Sequence, residues 1–189
     1  RRPLPAPSRS DIRLQLEERE KIQSGVGTAF VVSRDYWLTA RHVVEGCDRL
    51  GFVVDRRRVT PIRDAAVSHP DADIALVHAD AGRSPALSLG PLPDIGDAGY
   101  HYGVAPGSLG GISGGPTLDA SGRLVGIAIA SNTRRGRVST VAPRTIQQML
   151  SSEKVPVENM QQTGWTAAPS FSELERAGTV RQLYCKVNG

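Results

Sequence analysis

Three short segments of this 189-residue chain place a reactive side chain in a distinctive neighbourhood. In Gly110-Gly111-Ile112-Ser113-Gly114-Gly115-Pro116, glycines flank a serine on both sides. They permit positive φ and let backbone N–H groups come close to a bound oxygen, so such a loop can cradle an anion. Chance gives a Ser-Gly-Gly-Pro match in a chain this long only on the order of a few times in a thousand. In Trp37-Leu38-Thr39-Ala40-Arg41-His42-Val43-Val44, a strand ends in small residues and a histidine opens a single helical turn. In Asp71-Ala72-Asp73-Ile74-Ala75-Leu76-Val77, an acid stands at the mouth of an apolar strand. A serine hydroxyl is a poor nucleophile at neutral pH and needs a base within hydrogen-bond reach, which an imidazole can be. Taken alone, each segment also has a structural reading: a glycine turn, a core histidine, a strand-start aspartate.

Together and in this order, the segments resemble the chymotrypsin-like (trypsin-fold) serine proteases. Thr39-Ala40-Arg41-His42 is similar to that family's Thr-Ala-x-His, Asp73-Ile74-Ala75-Leu76 to its Asp-Ile-Ala-Leu, and Gly111-Ile112-Ser113-Gly114-Gly115-Pro116 to its Gly-x-Ser-Gly-Gly-Pro. Gly25-Val26-Gly27-Thr28-Ala29-Phe30-Val31-Val32 looks like the first strand of bacterial and organellar members, especially the high-temperature-requirement proteases. Gly122-Arg123-Leu124-Val125-Gly126-Ile127 matches the strand after the serine, so the resemblance covers roughly residues 25–151. It implies that Ser113 is the nucleophile, that His42 is its general base and later acid, and that Asp73 fixes the imidazole tautomer, with Asp71 the nearby competitor. It further implies an oxyanion hole from the N–H groups of Gly111 and Ser113, and a primary pocket lined by Gly107 to Gly110 and by Ile129, Ala130 and Ser131. No acid lies among these pocket residues, which points to a small or medium aliphatic side chain at the cleaved position. Ile112 stands where digestive members carry an acid that pairs with a newly cut N-terminus, which argues against activation by that route.

The elements that must position these residues read as all-β. Strands are expected at 28–32, 36–39, 50–54, 58–67, 73–78, 98–104, 116–118, 124–130 and 138–141, separated by turns such as Ser33-Arg34-Asp35 and Asp119-Ala120-Ser121-Gly122. Short strands at that spacing indicate a sandwich or barrel. The resemblance sharpens this to two packed six-stranded antiparallel β-barrels, the first at about 25–80 and the second at about 81–151. Residues 1–24 read as an exposed arm and a short helix. A helical pattern returns at 145–150, and the tail at 152–189 adds a turn of helix near 171–177. Asp73 and Ser113 are 40 positions apart, too few for a full second barrel. Either that barrel is pruned, or further residues belong between about Tyr102 and Leu109; the second is preferred because the flanks look normal.

Composition sets outer limits. With 39% apolar residues and 20 glycines the chain is not wholly disordered, and no apolar run is long enough for a transmembrane helix. No apolar signal region stands at the start, so any export signal was removed or never present. The net charge of +4 comes from 23 basic residues against 19 acidic ones, with clusters at Arg56-Arg57-Arg58 and at Arg134, Arg135 and Arg137. Aromatics are only 5%, and no nucleic-acid-reading motif accompanies the clusters. Cys47 and Cys185 leave a single bridge and two free thiols equally open. His69, His78 and His101 match no metal-site spacing, and no cofactor is implied. The reading is therefore a serine endopeptidase with a polypeptide substrate. Its rival is an inactive pseudo-protease that binds peptides, and an arginine-based binder of nucleic acid stands third. Family habit places the protein in the periplasm or outside the cell.

Overall fold

The computed structural model describes residues 25–55, 58–103, 112–132, 137–156, 165 and 167–188. Among these, eleven strands and three helices occur: β1 (Gly25–Ser33), β2 (Tyr36–Thr39), α1 (Arg41–Val44), β3 (Arg49–Asp55), β4 (Arg58–Ile62), β5 (Val67–Ser68), β6 (Ala75–His78), β7 (Tyr100–His101), β8 (Pro116–Leu118), β9 (Leu124–Asn132), β10 (Arg137–Val141), α2 (Pro143–Ser152), α3 (Phe171–Arg176) and β11 (Val180–Lys186). They form a curled seven-stranded antiparallel sheet in the order β4-β3-β11-β1-β2-β6-β5 and a four-stranded antiparallel sheet in the order β10-β9-β8-β7. Two six-stranded barrels are thus replaced, among the described residues, by sheets of seven and four strands. The stretch expected as one strand at 58–67 divides into β4 and β5, which lie at opposite edges of the larger sheet. The expected N-terminal helix and the segment between Tyr102 and Leu109 that invited extra residues lie wholly or mostly outside the described residues.

The largest departure is β11. Nothing after residue 151 reads as a strand in the sequence, yet Val180–Lys186 inserts between β1 and β3, pairing Phe30 with Val180, Gly25 with Cys185 and Leu183 with Phe52. Its turn back into the sheet begins at α3, whose Ser170 and Glu173 form a reciprocal capping box. The hydrogen bonds from Ser170 hold the Glu173 carboxyl below its ordinary range, and Arg176 adds to the effect. Cys47, just after α1, is disulfide-bonded to Cys185 on β11, with Cα atoms 5.4 Å apart across 138 positions. Of the two readings left open for the cysteines, the structure has the bridge. Closing so long a loop restricts the unfolded chain by on the order of 5 kcal/mol in the chain-entropy view.

The alternation of side chains along a strand explains why Ala29-Phe30-Val31-Val32 is apolar without a break. Ala29 and Val31 face the interior of the curled sheet with Trp37, Phe52, Ala75, Val77 and Leu183. Phe30 and Val32 face the other way, with Leu38, Ile74, Leu76 and the second sheet's Leu118, Leu124 and Ile127. β1, β2 and β6 are therefore buried on both faces, the condition under which strands lose their polar alternation. Trp37 sits at 4.5 Å from the Phe52 ring with the Arg181 guanidinium over it at 5.6 Å, and its Nε1 donates to the Ala79 carbonyl at 3.0 Å. The connection between the sheets is stitched to both, through Leu87 N–H to Val31 O at 2.9 Å and Leu124 N–H to Ser88 O at 2.7 Å.

A second contact between the sheets is the turn at Ser113-Gly114-Gly115. Thr28 N–H donates to Ser113 O at 2.8 Å, while Gly114 N–H donates to Ala128 O at 2.7 Å. Gly114 has φ +84°, and a Cβ there would lie 2.3 Å from Thr28 O and from Thr39 Oγ1 and 2.8 Å from Ala40 N. At Gly115 a Cβ would fall 1.8 Å from the carbonyl oxygen of Tyr102. Only glycine fits either position. Gly114→Ala is accordingly expected to lower the unfolding free energy by at least about 1–3 kcal/mol in urea titrations, the range for a side chain forced into left-handed backbone. Leu183→Ala, at a fully buried position of β11, is expected to cost about 2–5 kcal/mol, whereas Leu92→Ala, 72% exposed, should change stability by less than about 0.5 kcal/mol. Equal effects of the two leucine substitutions would show that β11 is not part of the core.

Candidate active site

α1 is only four residues long, and its N-cap Ala40 provides no side-chain cap. Tertiary contacts hold it instead. Val43 and Val44 are buried, and just ahead of the helix Thr39 Oγ1, itself fully buried, donates to Thr28 O at 2.7 Å. This leaves His42 on the open face, its side chain 44% exposed. Asp73 lies outside β6, in the turn that precedes it, where Ile74 N–H donates to Ala72 O at 2.9 Å. The carboxylate is thereby carried to α1 and grips His42 twice: Oδ1 accepts from the His42 backbone N–H at 2.9 Å, and Oδ2 faces the ring Nδ1 at 2.7 Å. An ionised carboxylate can only accept, so Nδ1 is the donor of that bond; in the neutral form of a ring so held, the lone pair is on Nε2.

Ser113 is half-buried in the turn described above. The turn meets Thr28 of β1 and, at Gly114, Thr39 and Ala40, which run directly into α1, so it docks two residues from His42. Among the described residues no hydrogen bond joins Ser113 Oγ to the His42 ring. Of the two expected oxyanion donors, Ser113 is described and Gly111 lies outside the described residues, as do Gly107 to Gly110 of the expected pocket. Ile112, half-buried, packs where a Cβ on Gly103 would otherwise stand. On β9, Ala128 exchanges both backbone bonds with the serine turn, through Gly114 N–H and Gly115 O. Ile129, Ala130 and Ser131 follow immediately. Ile129 packs half-buried on both core clusters, and Ala130 and Ser131 pair with Ser139 and Val138 of β10.

The remaining histidines are each engaged separately. His78 Nδ1 pairs with Asp64 Oδ2 and its ring lies 5.1 Å from Tyr36. His101 Nδ1 and Thr117 Oγ1 are hydrogen-bonded at 2.7 Å, and partial burial lowers the imidazole pKa. Beside it the buried Tyr102 hydroxyl donates to Pro169 O at 2.6 Å; burial raises the phenol pKa, and the charges of Tyr100 and Glu173 add to the rise. His69 Nδ1 accepts from the backbone of Asp71 and Ala72 in the turn that leads to Asp73. No group of three or more His, Cys, Asp or Glu gathers in metal-binding geometry among the described residues. Arg56, Arg57, Arg134 and Arg135 of the arginine clusters lie outside them. Sequence reasoning had no signal for the backbone contacts of Arg41 and His69, nor for the completion of the sheet by β11.

Residues 27–109 match the family model of the trypsin-like peptidase domain. No curated protein matches the chain in sequence. Solved structures are similar in fold. The serine endoprotease of Yersinia pestis shares 20% identity at a TM-score of 0.52, over 72% of this chain and 58% of that one. The HtrA-type protease AlgW with a tripeptide shares 24% identity at a TM-score of 0.53, over 67% of this chain and 55% of that one. Rv3671c of M. tuberculosis, solved in an inactive form with a serine replaced by alanine, shares 16% identity at a TM-score of 0.50, over 75% of this chain and 88% of that one. The chain thus spans little more than half of the first two. Residues 27–109 are thus similar in sequence to the trypsin-like peptidase domain, and the fold is similar to that of HtrA-type serine proteases.

Proposed function

We propose that this protein is a serine endopeptidase in which Ser113 attacks the scissile carbonyl, His42 moves the proton and Asp73 holds the imidazole. The observation that carries this reading is the 2.7 Å pairing of His42 Nδ1 with Asp73 Oδ2 at an exposed edge, on the helix that follows the Thr39-Ala40 segment against which the Ser113 turn is docked. An imidazole with Nδ1 engaged presents Nε2 as a base, and a carboxylate beside it stabilises the imidazolium that forms as the serine proton is taken. The same imidazolium then protonates the leaving amine, and a water activated by the neutral ring hydrolyses the acyl-enzyme. The backbone N–H groups of Gly111 and Ser113 are the proposed oxyanion donors, each worth about 3 kcal/mol of transition-state stabilisation. A peptide substrate is proposed to lie along Ile129, Ala130 and Ser131, none of which is acidic, which favours a small or medium aliphatic side chain at the cleaved position. A tripeptide is what the AlgW structure contains. Ile112 offers no acid for pairing with an N-terminus, so the site is proposed to form without that step.

The disulfide supports a site of action outside the cytoplasm, where such bridges persist. One observation favours the rival reading of a peptide-binding pseudo-protease, namely that Ser113 Oγ and the His42 ring share no hydrogen bond among the described residues. Catalytic hydrogen bonds are often long in unliganded enzymes and tighten with substrate, which keeps hydrolysis the preferred reading.

Labelling with a fluorophosphonate separates the two. Wild-type protein is expected to be labelled stoichiometrically and Ser113→Ala not at all; an unlabelled but folded wild type would establish the pseudo-protease. Asp73→Asn is expected to lower the turnover of a fluorogenic peptide by about 10⁴-fold with little change in melting temperature, because the amide stabilises the wrong imidazole tautomer. A loss below about tenfold would remove Asp73 from the proposed triad.

A further inference from the structure

We propose that His69 is a positioning residue for Asp73, its ring standing in for the short side chain that ordinarily ties such a turn. The turn from His69 to Ile74 is closed by His69 N–H to Ile74 O at 2.9 Å. Inside it, His69 Nδ1 accepts from Asp71 N–H at 3.1 Å and from Ala72 N–H at 3.0 Å. These are the second and third amides after the residue, the pair that Asn, Asp or Ser side chains bind when they hold a turn. A ring nitrogen that receives two amide protons carries none itself, so His69 is the neutral Nε2–H tautomer. From outside, Arg41 Nη1 donates to His69 O and to Pro70 O, each at 3.2 Å. Arg41 is the chain neighbour of His42. One arm of the turn is therefore fixed internally by an imidazole and externally by the residue adjoining the base.

The two carboxylate contacts to His42 require the Asp73 backbone to stand at one height relative to α1. Ala72, whose N–H is tied to His69, is the residue just before Asp73. Its carbonyl accepts from Ile74 N–H at 2.9 Å, so the peptide units on both sides of the Ala72 Cα are held, the preceding one by the imidazole and the following one by Ile74. Loss of the acceptor leaves two amides without a partner inside the turn and frees the carboxylate to shift. Displacements of about 1 Å in such a constellation cost on the order of 10²-fold in rate. The role deepens the hydrolase reading and rests on it for its kinetic consequence only.

Three measurements on the full chain test it. In wild type, long-range ¹⁵N–¹H correlation of the imidazoles at mildly alkaline pH is expected to show His69 with an unprotonated Nδ1 and a protonated Nε2; the opposite tautomer overturns the proposal whether or not the protein is active. His69→Phe, which keeps the ring and removes the acceptor, is expected to slow the maximal rate of fluorophosphonate labelling by about 10–100-fold, with the inhibitor's half-saturation concentration within about threefold. His69→Asn, which restores an acceptor for the same two amides, is expected to recover that rate to within about fivefold of wild type. An unchanged rate in His69→Phe, a His69→Asn as slow as His69→Phe, or an effect confined to half-saturation overturns it. Failure of wild type to label counts against the hydrolase reading and leaves the tautomer to decide the role of His69.

Discussion

Everything in the candidate site depends on how closely one turn of the second sheet approaches the end of β2. At Gly114 the backbone lies so near Thr28 O, Thr39 Oγ1 and Ala40 N that no side chain can be accommodated, and Thr28 spans the same gap through its bond to Ser113. The contact brings the serine segment beside the threonine whose hydroxyl ties β2 to β1, two residues ahead of the helix that bears His42. It also aligns β9, since Gly114 and Gly115 together take both backbone groups of Ala128. A single steric exclusion thus fixes three things at once: where the alcohol stands, where the imidazole begins and where a strand-like ligand would run.

The electrostatic arrangement is simple by comparison. A carboxylate with two donors on one residue, a backbone N–H and a ring N–H, defines both the position and the orientation of that ring. The pair remains partly open to water, so its Coulombic contribution to stability is small, and its importance lies in selecting a tautomer and a direction. The rigidity comes from elsewhere: from the buried valines under α1, from strands apolar on both faces, and from a disulfide that anchors the loop following the helix to β11. The loop after α1 is pinned from below by Cys185 while the Asp73 turn is pinned from the side by Arg41.

Much of this was legible in the chain because it rests on local chemistry. The uninterrupted Ala29–Val32 run, the short β2 ending in Thr39, the glycines around Ser113 and the hairpin at Asp119–Gly122 each carry their own signal, and the structure forms elements where those signals stand. What could not be read was long-range. Val180–Lys186 mixes Val180, Leu183, Tyr184 and Cys185 with Arg181, Gln182 and Lys186 without a strict alternation, and it becomes a strand in the slot between β1 and β3. Arg58–Val67 looked like one strand because its composition is uniform, whereas the curl of the sheet sends β4 and β5 to opposite edges. Asp73 was placed at a strand start, and its true position in a turn depends on His69 and Arg41, whose relevant partners are backbone groups that leave no mark on side-chain patterns. Among the described residues the second sheet has four strands, fewer than the six the resemblance implied.

The placement of β11 has a consequence for how the molecule comes into being. Its partners in the sheet were made some 130 to 160 residues earlier in the chain, a sequence separation of the kind that slows the search for native pairings. As the ribosome delivers the chain from its N-terminus, β1 and β3 emerge with the slot between them empty, and the layer beneath His42 is completed only after the segments that carry Asp73 and Ser113 have been synthesised. A nascent chain therefore carries His42, Asp73 and Ser113 long before it carries the strand that completes the sheet beneath them, a delay written into strand order alone.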